Sequence, residues 1–185
     1  MQRPVRFATF AVVLASALVC ATSRSEVVGA DAPGFVTRAV VSVAAPPAHV
    51  YARFLEIGRW WNDEHTYSGK AINMTLNAAP SGCFCESLAD GGFIEHGRVT
   101  YAAPGKALRV SAPFGPLHEI GGAGTLTAQF EAEGGGGTKL TLDFVGMGFE
   151  PKTGLAAMAP LYDQVFADAM QRLRRYAEVT HKQQR

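Results

Sequence analysis

Glu86 and Glu95 stand on either side of the turn signal Asp90-Gly91-Gly92, in runs that alternate as β-strands do. A hairpin loop of two or four residues makes Leu88 face Phe93, Glu86 face Glu95 and Cys85 face His96. One side of the hairpin then carries Phe84, Glu86, Leu88, Phe93, Glu95, Val99 and Tyr101. The other carries Cys83, Cys85, Ser87, Ile94, His96, Arg98 and Thr100. The first side has the larger apolar groups and is assigned inward. Two carboxylates side by side away from water repel, so one keeps its proton near neutral pH. Such a group serves as a general acid or as a hydrogen-bond donor to a ligand. The alternative places both at the sheet rim, solvated or paired with Arg98 or Lys106, the commoner situation for carboxylates. An odd-length loop or a bulge exchanges the faces and brings Cys83, Cys85 and His96 inside.

That exchange raises a metal set of Cys83, Cys85, His96 and His118. Zinc sites space their cysteines two to four residues apart, and two ligands one residue apart on a strand fit poorly. No metal is therefore expected, and the cysteines read as small buried hydrophobes. A strained disulfide is the alternative, since Cα atoms two apart on a strand sit ~6.5 Å apart. His49 and His181 fall on helices, and His65 and His118 fall in loops. No nucleophile elbow, zinc-protease or Walker sequence is found. Gly121-Gly122-Ala123-Gly124 precedes a strand rather than following one, so no cofactor is expected.

The elements that must hold these residues follow from pattern. Arg3 and Arg6 precede an uncharged apolar run, Phe7 to Val19, with small residues around Ala21. The run is shorter than the ~20 residues of a membrane span, so residues 1–21 read as a secretory signal and the protein as periplasmic or secreted. A lipoprotein anchor on Cys20 is the alternative. Residues 22–34 read as a polar, flexible leader. Residues 35–180 read as a single domain, and 181–185 as a tail. Phe35 to Ala44 is a first strand, stopped by Pro46-Pro47. Val50, Phe54, Leu55 and Ile57 then recur at helical spacing up to Trp60-Trp61. Turn signals at 80–82, 90–92, 104–105, 121–122 and 134–137 separate further strands. The result is an antiparallel sheet of six or seven strands. Leu155, Met158, Tyr162, Val165, Phe166, Ala169, Leu173 and Tyr176 stripe a closing helix, with Pro160 at its start or at a kink within it.

The stretches VTRAVVSVAAPPAHVYARFLEIGRWW, GCFCESLADGGFIEHGRVTYAAPGKALRVSAPFGPL and GTKLTLDFVGMG, with the final helix, resemble the START/SRPBCC superfamily, over roughly Phe35 to Val179. These are helix-grip proteins, described as polyketide cyclases, dehydrases and lipid-transport proteins. The resemblance implies an α+β fold in which a curved antiparallel sheet wraps a long C-terminal helix and leaves a cavity between them. It points to a secreted branch and fixes no catalytic set.

A formal net charge of +1 offers no field for nucleic acid or anionic lipid. The expected partner is a small hydrophobic ligand, with no nucleic acid and no membrane span. Its expected contacts are Trp60, Trp61, Phe84, Phe93, Glu95, Val99, Tyr101, Met147, Met158, Tyr162 and Phe166. Binding for transport or sequestration is the first reading. A cyclase or dehydratase moving protons with Glu95 or Tyr162 is the alternative, and a protein-interaction module ranks third.

Overall fold

The computed structural model describes residues 23–184 except 32, 150, 151 and 153. The apolar run read as a signal and Cys20 lie outside the described residues. Among the described residues the strands are β1 (Ser23–Asp31), β2 (Gly34–Val43), β3 (Met74–Leu76), β4 (Cys83–Ser87), β5 (Phe93–Ala103), β6 (Ala107–Ser111), β7 (Ala123–Glu133) and β8 (Gly137–Met147). The helices are α1 (Pro47–Leu55), the short α2 (Pro116–Glu119) and α3 (Ala159–Gln183). The strands form one antiparallel sheet in the order β1-β2-β8-β7-β6-β5-β4-β3. The excursion through α1 carries the chain to the far edge, and a meander from β3 brings it back until β8 pairs with β2.

Alternation builds the inner face. Phe35, Thr37, Ala39, Val41 and Val43 point inward from β2, Leu126, Ala128 and Phe130 from β7, and Leu140, Leu142 and Phe144 from β8. Onto them α3 lays Tyr162, Phe166, Ala169, Met170, Leu173 and Ala177 at helical spacing. Phe144 and Tyr162 stack with centroids 5.2 Å apart, and Phe166 sits 5.3 Å from Phe144. From α1, Tyr51 and Phe54 set their rings edge-on to Phe130. Pro160 lies in the first turn of α3, where its missing N–H costs nothing, so the helix starts there and does not kink. Glycines let rings come close. A Cβ on Gly146 would stand 2.7 Å from the Phe35 ring.

The sheet has eight strands, one or two more than the turn count suggests, because Ser23–Asp31 is a strand and not a loose leader. Most of β1 is exposed, so it shows no buried alternation. Backbone pairing with β2 holds it, and Ser25 Oγ donates to the Asp163 carboxylate of α3. Before the turn at 80–82 the strand is short, β3 alone, preceded by a 3-10 turn at Ala71–Asn73.

The β4–β5 hairpin departs from both readings of its register. Cys83 faces Arg98 and Phe84 faces Gly97, as an even loop requires. Between Phe84 and Cys85 the ladder slips, and beyond it Cys85 faces Glu95, Glu86 faces Ile94 and Ser87 faces Phe93. His96 is the extra residue of this β-bulge. A Cβ on the next residue, Gly97, would meet the Ser111 carbonyl oxygen and stand 2.6 Å from Ala112 Cβ, so glycine alone fits this close crossing. The cysteines are corrected too. Cys83 and Cys85 form a disulfide across a Cα distance of 5.4 Å, on the half-buried outer side of the strand, and are not two buried thiols. With both sulfurs joined, the metal set built on them has no thiolates.

Candidate functional site

The bulge turns His96 inward beside Glu86. Glu86 is fully buried and His96 is 5% exposed. Glu86 Oε2 accepts from His96 Nε2 at 2.9 Å and from the Tyr67 amide at 3.2 Å, while Oε1 accepts from the Ser68 amide. One carboxylate therefore does two structural jobs. It fixes the imidazole, and it pins the loop after Trp61 across the mouth of the sheet. That loop is tied elsewhere as well. Trp61 Nε1 donates to the His65 carbonyl at 2.9 Å, Asn62 donates to Asp168 of α3 at 3.0 Å, and Ala71 N donates to Asp63 at 2.7 Å.

Between this loop, β4–β5, the segment at Phe114–Pro116 and the start of α3 lies a pocket of about 240 Å³. Its walls are Trp61, Tyr67, Met74, Phe84, His96, Phe114, Leu161, Tyr162, Val165 and Phe166, with Glu64, His65, Thr66, Gly115 and Pro116 completing the lining. Aromatic rings surround the imidazole, with Phe84 at 5.1 Å, Tyr67 at 5.8 Å and Phe114 at 6.4 Å between centroids. Tyr162 donates its hydroxyl to the Phe114 carbonyl and accepts from the Leu117 amide at 3.2 Å, stapling α3 to the far wall.

The electrostatics follow from burial. Burial pushes the Glu86 pKa up, but hydrogen bonds from the Ser68 side chain and amide, the Tyr67 amide and His96 outweigh it and hold it below 4.5. Burial likewise pushes His96 below 6.5, and the Glu86 hydrogen bond and charge restore only part of the drop, with His118 lowering it further. At neutral pH Glu86 is a carboxylate and His96 a neutral imidazole. A carboxylate only accepts, so Nε2 carries the ring proton and Nδ1 carries a lone pair. Nδ1 makes no hydrogen bond to the described residues. Burial raises the Tyr162 hydroxyl to about 12, so it stays protonated.

Of the residues expected from sequence, the structure brings Trp61, Phe84, Tyr162 and Phe166 to the pocket. Trp60 is buried against Phe54, its Nε1 donating to the Arg53 carbonyl at 3.0 Å, and Val99 and Met158 belong to the core and its edge. Phe93, Tyr101 and Met147 are exposed, at 71%, 50% and 53%. Glu95 lies outside and pairs with Arg98 rather than with Glu86, because the bulge reverses its face. The Tyr162 hydroxyl is spent on the backbone. Glu86 turns inward as its face of the hairpin predicts, whereas its partner His96 figures in the sequence only in the exchanged-face alternative. Gly97, a glycine inside a strand pattern, was the available signal for the bulge. Tyr67 and Phe114 carried none.

No protein-family model matches the chain, and none of the curated proteins matches it in sequence. Solved structures do share its fold. CV1439 from Chromobacterium violaceum is 18% identical with a TM-score of 0.53, over 77% of this chain and 96% of that one. CalU16 from Micromonospora echinospora is 14% identical with a TM-score of 0.53, over 85% of this chain and 83% of that one. DynU16, of the dynemicin biosynthetic locus, is 19% identical with a TM-score of 0.56, over 79% of this chain and 48% of that one. The chain has the helix-grip fold, a curved antiparallel sheet closed by a long C-terminal helix. Among the described residues no helix is long and apolar enough to cross a membrane.

Proposed function

We propose that the chain binds a small hydrophobic molecule in the pocket between β4–β5 and α3, as an SRPBCC-like protein of the periplasm or exterior. The observation that carries this is the aromatic-walled cavity of about 240 Å³. Its size is below the ~300–1,000 Å³ usual for drug-sized ligands, so it suits one or two rings better than a sterol or an acyl chain. Burying ~200 Å² of apolar ligand surface contributes roughly 5 kcal/mol before the costs of binding. Trp61, Phe84 and Phe166 supply that contact.

The test is mass spectrometry of the denatured full chain for a co-purified aromatic species, with displacement of an apolar dye by added naphthalene. Release of such a species and dye displacement support the reading. A clean extract with no displacement overturns it.

A second reading, a cyclase or dehydratase, is favoured by one feature, an imidazole held by a carboxylate and facing the cavity. CalU16 and DynU16, a protein of the dynemicin biosynthetic locus, are consistent with it in fold. Glu95 points out and Tyr162 is engaged, so the proton carrier in this version is His96. Turnover of a linear polyketone that is lost in His96→Phe, while naphthalene still binds, would select it over simple binding.

A further inference from the structure

We propose that His96, oriented by Glu86, accepts a hydrogen bond from a ligand hydroxyl, so that the pocket selects phenolic or enolic aromatics over hydrocarbons, ethers and acids of the same shape. This rests on the binding reading above and adds the chemistry of the ligand.

The donors and acceptors around the cavity carry the inference. The side-chain hydrogens of the inner wall are already directed elsewhere, while Glu64 and His65 stand exposed at the rim. Trp61 Nε1–H goes to the His65 carbonyl at 2.9 Å, and Thr66 Oγ1–H goes to the Asp63 carbonyl at 2.7 Å. The Tyr162 hydroxyl goes to the Phe114 carbonyl, and His96 Nε2–H goes to Glu86 at 2.9 Å. The Tyr67 hydroxyl leans on the Gly115 carbonyl at 3.4 Å, the longest of the set. A ligand carbonyl or ether oxygen seated beside His96 therefore finds no free side-chain donor without breaking one of these bonds, the His65 ring lying out at the rim.

The acceptor side is the reverse. Both oxygens of Glu86 are filled by the Tyr67 and Ser68 amides and by His96. Nδ1 of His96 keeps its lone pair, on a ring 5% exposed and surrounded by Phe84, Phe114 and Tyr67. His96 lines the cavity, and a ligand O–H that reaches Nδ1 gains a bond there at no loss of another. A carboxylic acid fares worst. Ionised, it has no proton to give and enters a pocket already holding the Glu86 negative charge. Sites that hydrogen-bond a ligand hydroxyl discriminate against analogues lacking it more strongly than apolar walls discriminate by size.

Tryptophan-fluorescence or calorimetric titration of the full chain with 1-naphthol, naphthalene, 1-methoxynaphthalene and 1-naphthoate tests this. The expected order places 1-naphthol about tenfold or more tighter than naphthalene and 1-methoxynaphthalene, with 1-naphthoate weakest. In His96→Phe the preference for 1-naphthol disappears while naphthalene binds at least as well. In His96→Gln, whose amide oxygen still accepts, part of the preference returns. Circular dichroism confirms that each variant is folded, and the ranking on the native chain stands without either. Equal binding of naphthol and naphthalene, or a preference that persists in His96→Phe, overturns the inference and leaves the pocket standing. No binding of any probe overturns the pocket reading as well.

Discussion

Glu86 Oε2 and His96 Nε2 lie 2.9 Å apart inside the sheet, brought together by one extra residue in β5. Without the bulge the glutamate would face Glu95, and the imidazole would lie outside with the cysteines. One residue of slippage thus converts a pair of like charges into a carboxylate and a neutral base. The same carboxylate anchors the loop amides that close the mouth, so the site and its lid share one support.

Glu86→Gln removes that support while nearly keeping the volume. Its amide oxygen accepts at one position, but its NH₂ turns a donor toward a donor, so a backbone amide or His96 loses its partner. The expected loss is about 2–4 kcal/mol in urea unfolding, with faster hydrogen exchange at the Tyr67 and Ser68 amides. A variant with native stability and unchanged exchange would show that the loop is held by something else.

The pair also sets an acid limit. Both folded-state pKa values are depressed, Glu86 below 4.5 and His96 below 6.5. The unfolded chain therefore binds more protons on acidification, and stability falls with pH. The His96 contribution is complete above 6.5 and is lost as the pH drops from there through its lower folded value. The Glu86 contribution is complete above 4.5 and is lost below it. Tyr162 acts oppositely. Raised from 10 to about 12, it stabilises below 10 and loses that contribution as the pH climbs toward 12. Urea midpoints across pH should fall from about 6.5 downward, and the first part of the fall should flatten in His96→Phe. A wild-type curve that is flat or rising between about pH 6.5 and 5 would contradict this.

Gly97→Ala tests the bulge itself. The added methyl would stand 2.6 Å from Ala112 Cβ and against the Ser111 carbonyl, so the strand must shift. The expected cost is about 1–3 kcal/mol, measured by urea unfolding, with weaker 1-naphthol binding. Gly134→Ala is the control. Nothing lies within 4 Å of its Cβ position, and its effect should stay within about 0.5 kcal/mol. Equal effects at the two sites would mean that the close crossing is not required.

Periodicity revealed what depends on repeated side-chain burial. The Tyr162–Leu173 part of the α3 stripe and the division of the strands by turn signals follow from spacing, and the helix-grip arrangement of the two is what the family resemblance adds. β1 looks like a leader in the sequence because an edge strand takes its order from backbone pairing with β2, and its exposed residues leave no pattern. The inward turn of Glu86 was visible. The identity of its partner was not, since register hangs on a single inserted residue whose only trace is Gly97. Tyr67 and Phe114 escaped for another reason. Their loops are shaped by hydrogen bonds to distant groups, Glu86 for one and Tyr162 for the other, and no local spacing encodes that.

The state of His96 decides the site most directly, and ¹⁵N-correlated NMR of its imidazole reads it. At neutral pH the ring should be neutral, protonated at Nε2 and bare at Nδ1, and the Nδ1 resonance should move on addition of 1-naphthol and stay put with naphthalene. A protonated Nδ1, a charged ring at neutral pH, or a resonance indifferent to both probes would contradict the structure's reading of this residue.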